Sequence, residues 1–341
     1  MNNICLLLGA GVSVEQRLPQ WKTLVEGVRD YFDCKVTIDE DKLIESIGII
    51  EDERLSALQT LLEKTKFYNK ENYQLWSRQQ IARATRMCLK NKLINSSYDD
   101  VVSKMNLMLK LAESVLERVK KNETTTIITY NYDDYFEFTF RYLLHENDIE
   151  TMFGDCLASY TIGESEPHLP AGTSEKLVNI YHVHGFIPIF DELFGYELHN
   201  EDKTTYKKNN SDKYIQYLDC GIVLSGNDYN SLIDDSIVGW TNLIQYICYS
   251  QLPITIVGFS MTDENFKVLL RRMKKSNNKI KCVKVFFGYD KGCKADEDKA
   301  HTNIEVAKFL LHELCLDYQP DVCEFKEELP QKVEEHLRLL L

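Results

Sequence analysis

Long apolar runs are missing from this sequence. The stretch from Ile4 to Leu8 near the N-terminus is too short for a signal-peptide core and has no basic segment before it. No run approaches the roughly 18 apolar residues that a membrane span needs, so a cytoplasmic protein with no membrane partner is expected. Paired cysteines are missing as well: the 10 cysteines, at 5, 34, 88, 156, 220, 248, 282, 293, 315 and 323, form no CxxC. That spacing argues against a zinc cluster, and a reducing cytoplasm argues against disulfides, so no metal is expected. Glycine and proline are scarce, 15 and 7 in 341 residues, while 44% of the chain is hydrophobic and 27% charged, which excludes global disorder. Positive charge is in deficit, 40 Lys and Arg against 53 Asp and Glu. The net charge of -13 repels a phosphate backbone and speaks against direct nucleic-acid binding.

What is present alternates between two periods. Short runs rich in β-branched or aliphatic residues at 4–8, 126–130, 177–183, 221–224, 253–257 and 282–287 read as buried strands. Between them lie helical stripes: Trp21, Leu24, Val25, Val28, Tyr31 and Phe32; Ile237, Trp240, Leu243, Ile244 and Ile247; Phe266, Leu269, Leu270 and Met273; Ile304, Ala307, Leu311 and Leu314. Strands alternating with helices predict an α/β fold with a Rossmann-like, doubly wound and mostly parallel sheet. Residues 39–121 are helical in pattern without a strand signal, and read as a helical insertion unless parts of them are crossover helices. The polar stretch 197–213 reads as a mobile loop. The length suits one large domain over 1–341 or two modest ones, and the single-domain reading is preferred.

Open parallel sheets bind ligands where loops leave the carboxyl ends of strands, and the informative loops all follow strand signals. GAGVS at 9–13 lets backbone amides approach a pyrophosphate, with a helix N-terminus beyond. Val14 occupies the third glycine position of a dinucleotide fingerprint, and no acidic strand end follows about 20 residues later, so a dehydrogenase is excluded. TYNYDD at 129–134 offers Asn131 and Asp133 to a ribose hydroxyl, a carboxamide or a water, or merely as caps for the next helix. HVHG at 182–185 offers His184 as a base near neutral pH, whereas His182 reads first as a satisfied core histidine. In SGNDY at 225–229, Asp228 and Tyr229 either shape a site or form an exposed turn. In VGFS at 257–260, Ser260 can donate to a phosphate or ribose, while Asp263 can be a helix cap.

In this order, GAGVS, TYNYD, HVHG, SGNDY and VGFS resemble the sirtuin-like family, and in particular bacterial antiphage NAD hydrolases built on that domain. The resemblance runs from Gly9 to about Asn265, with a family-like strand at 283–287. It implies that Gly9, Ala10, Gly11 and Ser13 hold the NAD phosphates. Asn131 and His184 would be catalytic, and Asp133 would be an acidic partner near nicotinamide. Gly258 and Ser260 would contact phosphate and the adenosine ribose, with Asp228 beside them. Protein-deacylating sirtuins carry a Pro-Asp-Phe-Arg type segment after the glycine loop and a four-cysteine zinc module. Here Leu18, Pro19, Gln20, Trp21 and Lys22 stand at the first place and the second is missing. NAD would therefore be a substrate cleaved with water, in an effector of antiphage defence by abortive infection. Its control would come from homo-oligomer assembly or from a separate sensor or ATPase protein.

Overall fold

The computed structural model describes residues 3–19, 21–33, 73–161, 176–200, 202–210, 222–224, 252–259, 266, 282–290, 292–312 and 319–340. Their strands are β1 (Ile4–Leu8), β2 (Thr125–Thr129), β3 (Leu157–Thr161), β4 (Val178–His182), β5 (Ile254–Val257), β6 (Cys282–Tyr289) and β7 (Gln319–Phe325). They form one sheet in the order β3-β4-β2-β1-β5-β6-β7, and every pairing is parallel. A parallel sheet needs cover on both faces, and the strand sequences supply apolar side chains to both. Ile4, Leu6, Leu8, Ile127, Ile180 and Phe286 enter one core, while Cys5, Leu7, Ile128, Tyr181, Ile256, Val285 and Phe287 enter the other. Each set follows the two-residue period of a strand.

The first core is closed by α1 (Trp21–Asp33), α2 (Tyr73–Leu93), α3 (Tyr98–Val102), α4 (Asn106–Lys120) and α5 (Tyr135–Glu146). Two short helices, α6 (Glu150–Phe153) and α7 (Ile189–Leu198), follow before α8 (Lys294–Leu311) covers the second core through Ala300, Ala307 and Leu311. The last helix, α9 (Leu329–Leu339), returns to the first face and packs on α4, burying Val333 and Leu337. With helices on both faces, the fold is Rossmann-like and doubly wound. Part of the segment read as an insertion is core: α4 buries Leu107, Leu111, Val115 and Val119 against the sheet. Residues 39–72 lie outside the described residues. No helix among the described residues is long and apolar enough to cross a membrane.

The structure departs from the sequence reading in three places. β3 and β7 carry no strong strand signal: LASYT is half-exposed at one edge, and QPDVCEF holds proline and two acids at the other. Edge strands are where proline and polar residues are tolerated. Residues 222–224 are buried but lie outside the sheet; the Val223 N–H donates to the His184 carbonyl at 2.8 Å. Within 197–213, residues 203–210 are helical rather than loop, started by Asp202, whose carboxylate accepts the Thr204 and Thr205 N–H groups. Tyr206 anchors this helix through a 2.5 Å hydrogen bond to Asp191.

The direction of winding across the sheet reverses between β1 and β5: β1 leads toward β2, and β5 leads toward β6 on the opposite side. At this switch point the two strand ends touch backbone to backbone. The Gly9 N–H donates to the Val257 carbonyl at 3.1 Å and the Gly11 N–H to the Gly258 carbonyl at 2.9 Å. A Cβ on Gly11 would sit 2.7 Å from the Gly258 Cα, and one on Gly258 would sit 2.7 Å from the Val12 nitrogen. Gly258 also has φ +65°. Gly258→Ala is therefore expected to lose about 2–4 kcal/mol, from left-handed strain plus overpacking. Gly292→Ala, at φ +82° with nothing within 4 Å, should lose only about 1–2 kcal/mol. Urea midpoints of the two variants check the ranking; equal losses would mean that the close approach costs nothing.

Candidate active site

The carboxyl edge collects the motifs through register alone. Leu8 on β1 pairs with Thr129 on β2 and with Val257 on β5, and Thr129 pairs in turn with His182 on β4. The ladder continues one residue further, with the Tyr130 N–H donating to the Leu8 carbonyl and the Val183 N–H to the Thr129 carbonyl, both at 3.1 Å. Asn131 and His184 are the next residues of their strands, each two beyond the Thr129–His182 pair. GAGVS and Gly258 leave the two neighbouring strand ends.

Asn131 is held on almost every polar group it has. Its N–H donates to Thr129 Oγ1 at 3.1 Å, and its carbonyl lies 3.2 Å from His182 Nδ1. The side-chain Nδ2 donates to the Gly9 carbonyl at 3.2 Å and to Ser13 Oγ at 3.1 Å. A carbonyl only accepts, so the Gly9 contact fixes which end of the amide is nitrogen. Both side-chain protons are thereby used, and Oδ1 has no hydrogen-bond partner among the described residues. Ser13 passes the pattern on: its hydroxyl donates to the Asp133 carboxylate, 3.1 Å from the nearer oxygen. Asp133 also accepts the Tyr135 N–H at 3.1 Å, so it starts α5 and braces the site at once.

His182 lies beneath Asn131, fully buried. Its Nε2 is 2.7 Å from Glu137 Oε1, which also accepts from Ser159 Oγ at 2.8 Å. Burial pushes the imidazole toward neutrality, but the Glu137 charge and hydrogen bond outweigh it and raise its pKa above the ordinary value. For Glu137, burial raises the pKa and the His182 charge lowers it further, leaving it below the usual carboxylate value. Both directions describe a charged pair. His182 is thus a satisfied core histidine, as its position suggested, with its partner supplied by α5. A small cavity is lined by polar Thr129, Asn131, Asp133, Glu137 and His182 and by apolar Leu8, Val12, Met108, Ile127, Phe136 and Ile180.

His184 sits at the same edge, 4% exposed, with the Tyr130 ring edge-on at 4.8 Å and the Tyr132 ring at 6.3 Å. Tyr132 is fixed by its hydroxyl, which donates to the Val223 carbonyl at 2.7 Å. Gly185 follows at φ +105°, turning the chain away directly after the histidine. Gly9, Gly11 and Gly258 meet as described, and Ala10 is exposed at the start of a 3-10 helix over Ala10–Gln16. The Gly9 and Gly11 amides bond to β5 and its turn, so close packing accounts for these glycines. Asp228 and Ser260 lie outside the described residues, as do Asp263 and Tyr229. Sequence reasoning missed Glu137 and Asp134. The Asp134 carboxylate caps α7 by accepting the Phe190 and Asp191 N–H groups at 2.8 and 2.9 Å, and its one available signal was a second aspartate before an aromatic helix.

Burial pushes the Asp133 carboxyl up to about 6, although the Tyr135 N–H, Ser13 and His182 pull the other way. A carboxyl whose folded pKa exceeds its unfolded value of 3.8 binds its proton more tightly in the folded state. Its ionisation therefore removes stability as pH rises from about 4 through about 6. Asp133→Asn, which does not titrate, should gain stability relative to wild type across that window, by about 1–3 kcal/mol. Urea unfolding of both proteins at pH 4.5 and 7.5 measures the change, and a pH-independent difference would contradict a raised Asp133.

The SIR2-like domain model matches residues 125–307, more than half of the chain. The match opens on β2 and spans the Asn131, Asp133, His184 and Gly258 loops. A comparison with curated proteins finds no match. SIR2-like domains use NAD, and the sheet edge described above is where a doubly wound fold accepts such a ligand. With an all-parallel doubly wound sheet, an asparagine held rigidly at its edge and this match together, the chain belongs to the SIR2-like family.

Proposed function

We propose that this protein hydrolyses NAD at the bond between nicotinamide and ribose. The observation that carries the reading is the fixed Asn131 amide, whose donors are spent on Gly9 and Ser13 while Oδ1 has no partner among the described residues. An open acceptor suits a group that brings a proton, either water or a ribose hydroxyl. His184, which follows β4 at the same carboxyl edge, is the base. In the step, the C–N bond breaks with its electron pair going to the nicotinamide nitrogen, and the oxygen of water bonds to the ribose carbon. The water proton passes to His184 and then to solvent, so the products are nicotinamide, ADP-ribose and a proton.

Nicotinamide leaves readily because its ring nitrogen is positively charged in NAD, so the protein's task is to hold the ribose, exclude competing acceptors and position the water. Asp133 braces Asn131 through Ser13 and is proposed to orient the carboxamide. Gly9, Ala10, Gly11, Ser13, Asp228, Gly258 and Ser260 are proposed to line the rest of the NAD site. The order of motifs supports the further reading that the enzyme is an NAD-depleting effector of antiphage defence acting by abortive infection. It would be held silent until it assembles with copies of itself or until a separate sensor or ATPase protein releases it.

Nicotinamide release by purified protein tests the reading beside Asn131→Ala and His184→Ala, at low and high protein concentration. Each variant should lose at least about 100-fold in kcat and still bind NAD, read as a ligand-induced rise in melting temperature. Release that climbs more steeply than protein concentration would mark assembly as the switch. Attachment of ADP-ribose to an added peptide would replace hydrolysis by ADP-ribosylation, and movement of an acyl group from an added acyl-lysine peptide to the ribose would replace it by deacylation. Binding without release, at any concentration, would leave either a sensor of NAD or ADP-ribose or an enzyme awaiting an activator, and neither binding nor release would overturn the reading.

A further inference from the structure

We propose that the buried His182–Glu137 pair is a positioning device for Asn131, a role that rests on the catalytic reading of Asn131 given above. Glu137 comes from α5 and His182 from the last residue of β4, and the two meet at 2.7 Å with both side chains almost wholly buried. Ser159 of β3 holds the same carboxylate oxygen at 2.8 Å, and the Phe186 ring covers the imidazole at 4.2 Å. The far side of the imidazole, Nδ1, reaches the main-chain carbonyl of Asn131 at 3.2 Å. Asp133 is the other ionisable group that acts on His182.

An ion pair in such a place is poorly explained by stability. Dehydrating two charges costs several kcal/mol per ion, and well-packed apolar residues often serve the fold as well. What the pair provides is direction. Glu137 fixes the imidazole plane, and the imidazole places the Asn131 carbonyl. Thr129 Oγ1 takes the N–H of the same residue, and Gly9 with Ser13 takes its side-chain nitrogen. The peptide of Asn131 is gripped from below and its amide from the side, so Oδ1 has one orientation. Small misplacements of such a group cost catalysis steeply. Neither Glu137 nor His182 reaches the reacting atoms in this scheme; both act through Asn131.

Kinetics and stability should separate across a small series. Glu137→Leu and His182→Leu each leave a buried polar partner behind, so both should be less stable and lose about 10–100-fold in kcat. KM for NAD should move less than about threefold. The double variant Glu137→Leu/His182→Leu removes both polar groups and should recover stability without recovering kcat. Glu137→Gln can hold the neutral imidazole with its proton on Nδ1, and should recover most of the kcat that Glu137→Leu loses. Recovery of kcat with stability in the double variant would make the pair merely structural and overturn the proposal. If the double variant does not fold, the contrast between Glu137→Gln and Glu137→Leu decides, and equal kcat values there would overturn it.

A second readout does not depend on turnover. The Asn131 side-chain amide signals, assigned by their absence in Asn131→Asp, should shift and exchange faster in Glu137→Leu than in wild type. Unmoved signals overturn the positioning role whatever the kinetics show. Displaced signals in a protein whose wild type releases no nicotinamide would keep the positioning role and remove the NAD-hydrolase reading.

Discussion

Parallel pairing among β4, β2, β1 and β5 is the constraint from which the site follows. Because the strands run the same way and end in register at His182, Thr129, Leu8 and Val257, their outgoing loops must emerge together on one edge. Residues separated by more than a hundred positions are then neighbours without any special contact to bring them there. Asn131 reaches Gly9 and Ser13 for this reason. Both faces of the sheet must be covered for these strands to be buried at all, so the helices that carry Asp133, Glu137 and Asp134 are drawn to the same edge. The site is a consequence of how the core is closed.

The switch between β1 and β5 sharpens this constraint. Two backbone segments, the turn of Gly9 and Gly11 and that of Gly258, approach so closely that a methyl group on any of these glycines would lie under 3 Å from a backbone atom of the other. Side chains would force the strand ends apart and carry Ser13 away from Asn131. The glycines are needed for a packing reason that stands whether or not a phosphate also uses the turn. A glycine-rich loop read from sequence alone carries both meanings, and only the hydrogen-bond partners of its amides separate them.

The central strands were legible because each is an apolar run bounded by a turn, and their loops were legible because glycine, asparagine and histidine followed immediately. The edge strands β3 and β7 were not, since an edge has one neighbour and need not be apolar. The helix over 203–210 was hidden for a similar reason: it buries little besides Tyr206 and is tied down by hydrogen bonds at Asp202 and Asp191. At the site, Asn131 and His184 could be singled out from the string, whereas Glu137 could not. Its partner His182 is 45 positions away, and nothing local to TYNYDD says that a helix turn later an acid will lie under the asparagine.

The buried polar groups also divide by charge in a way that bears on chemistry. The Glu137 charge and hydrogen bond raise the His182 pKa against the effect of burial, and the His182 charge lowers that of Glu137, so each favours the charged form of the other. Asp133, raised to about 6 by burial, accepts the Ser13 hydroxyl, and that in turn orients Ser13 to accept from Asn131. The chain of donors therefore runs in one direction, from the Asn131 amide through Ser13 to Asp133. It leaves the Asn131 Oδ1 as an acceptor without a hydrogen-bond partner among the described residues. An asparagine arranged the opposite way, with its nitrogen free, would suit stabilising a developing anion. In the proposed NAD hydrolysis, positive character develops on the ribose instead, and an unpaired carboxamide oxygen would hold the attacking water without opposing that charge.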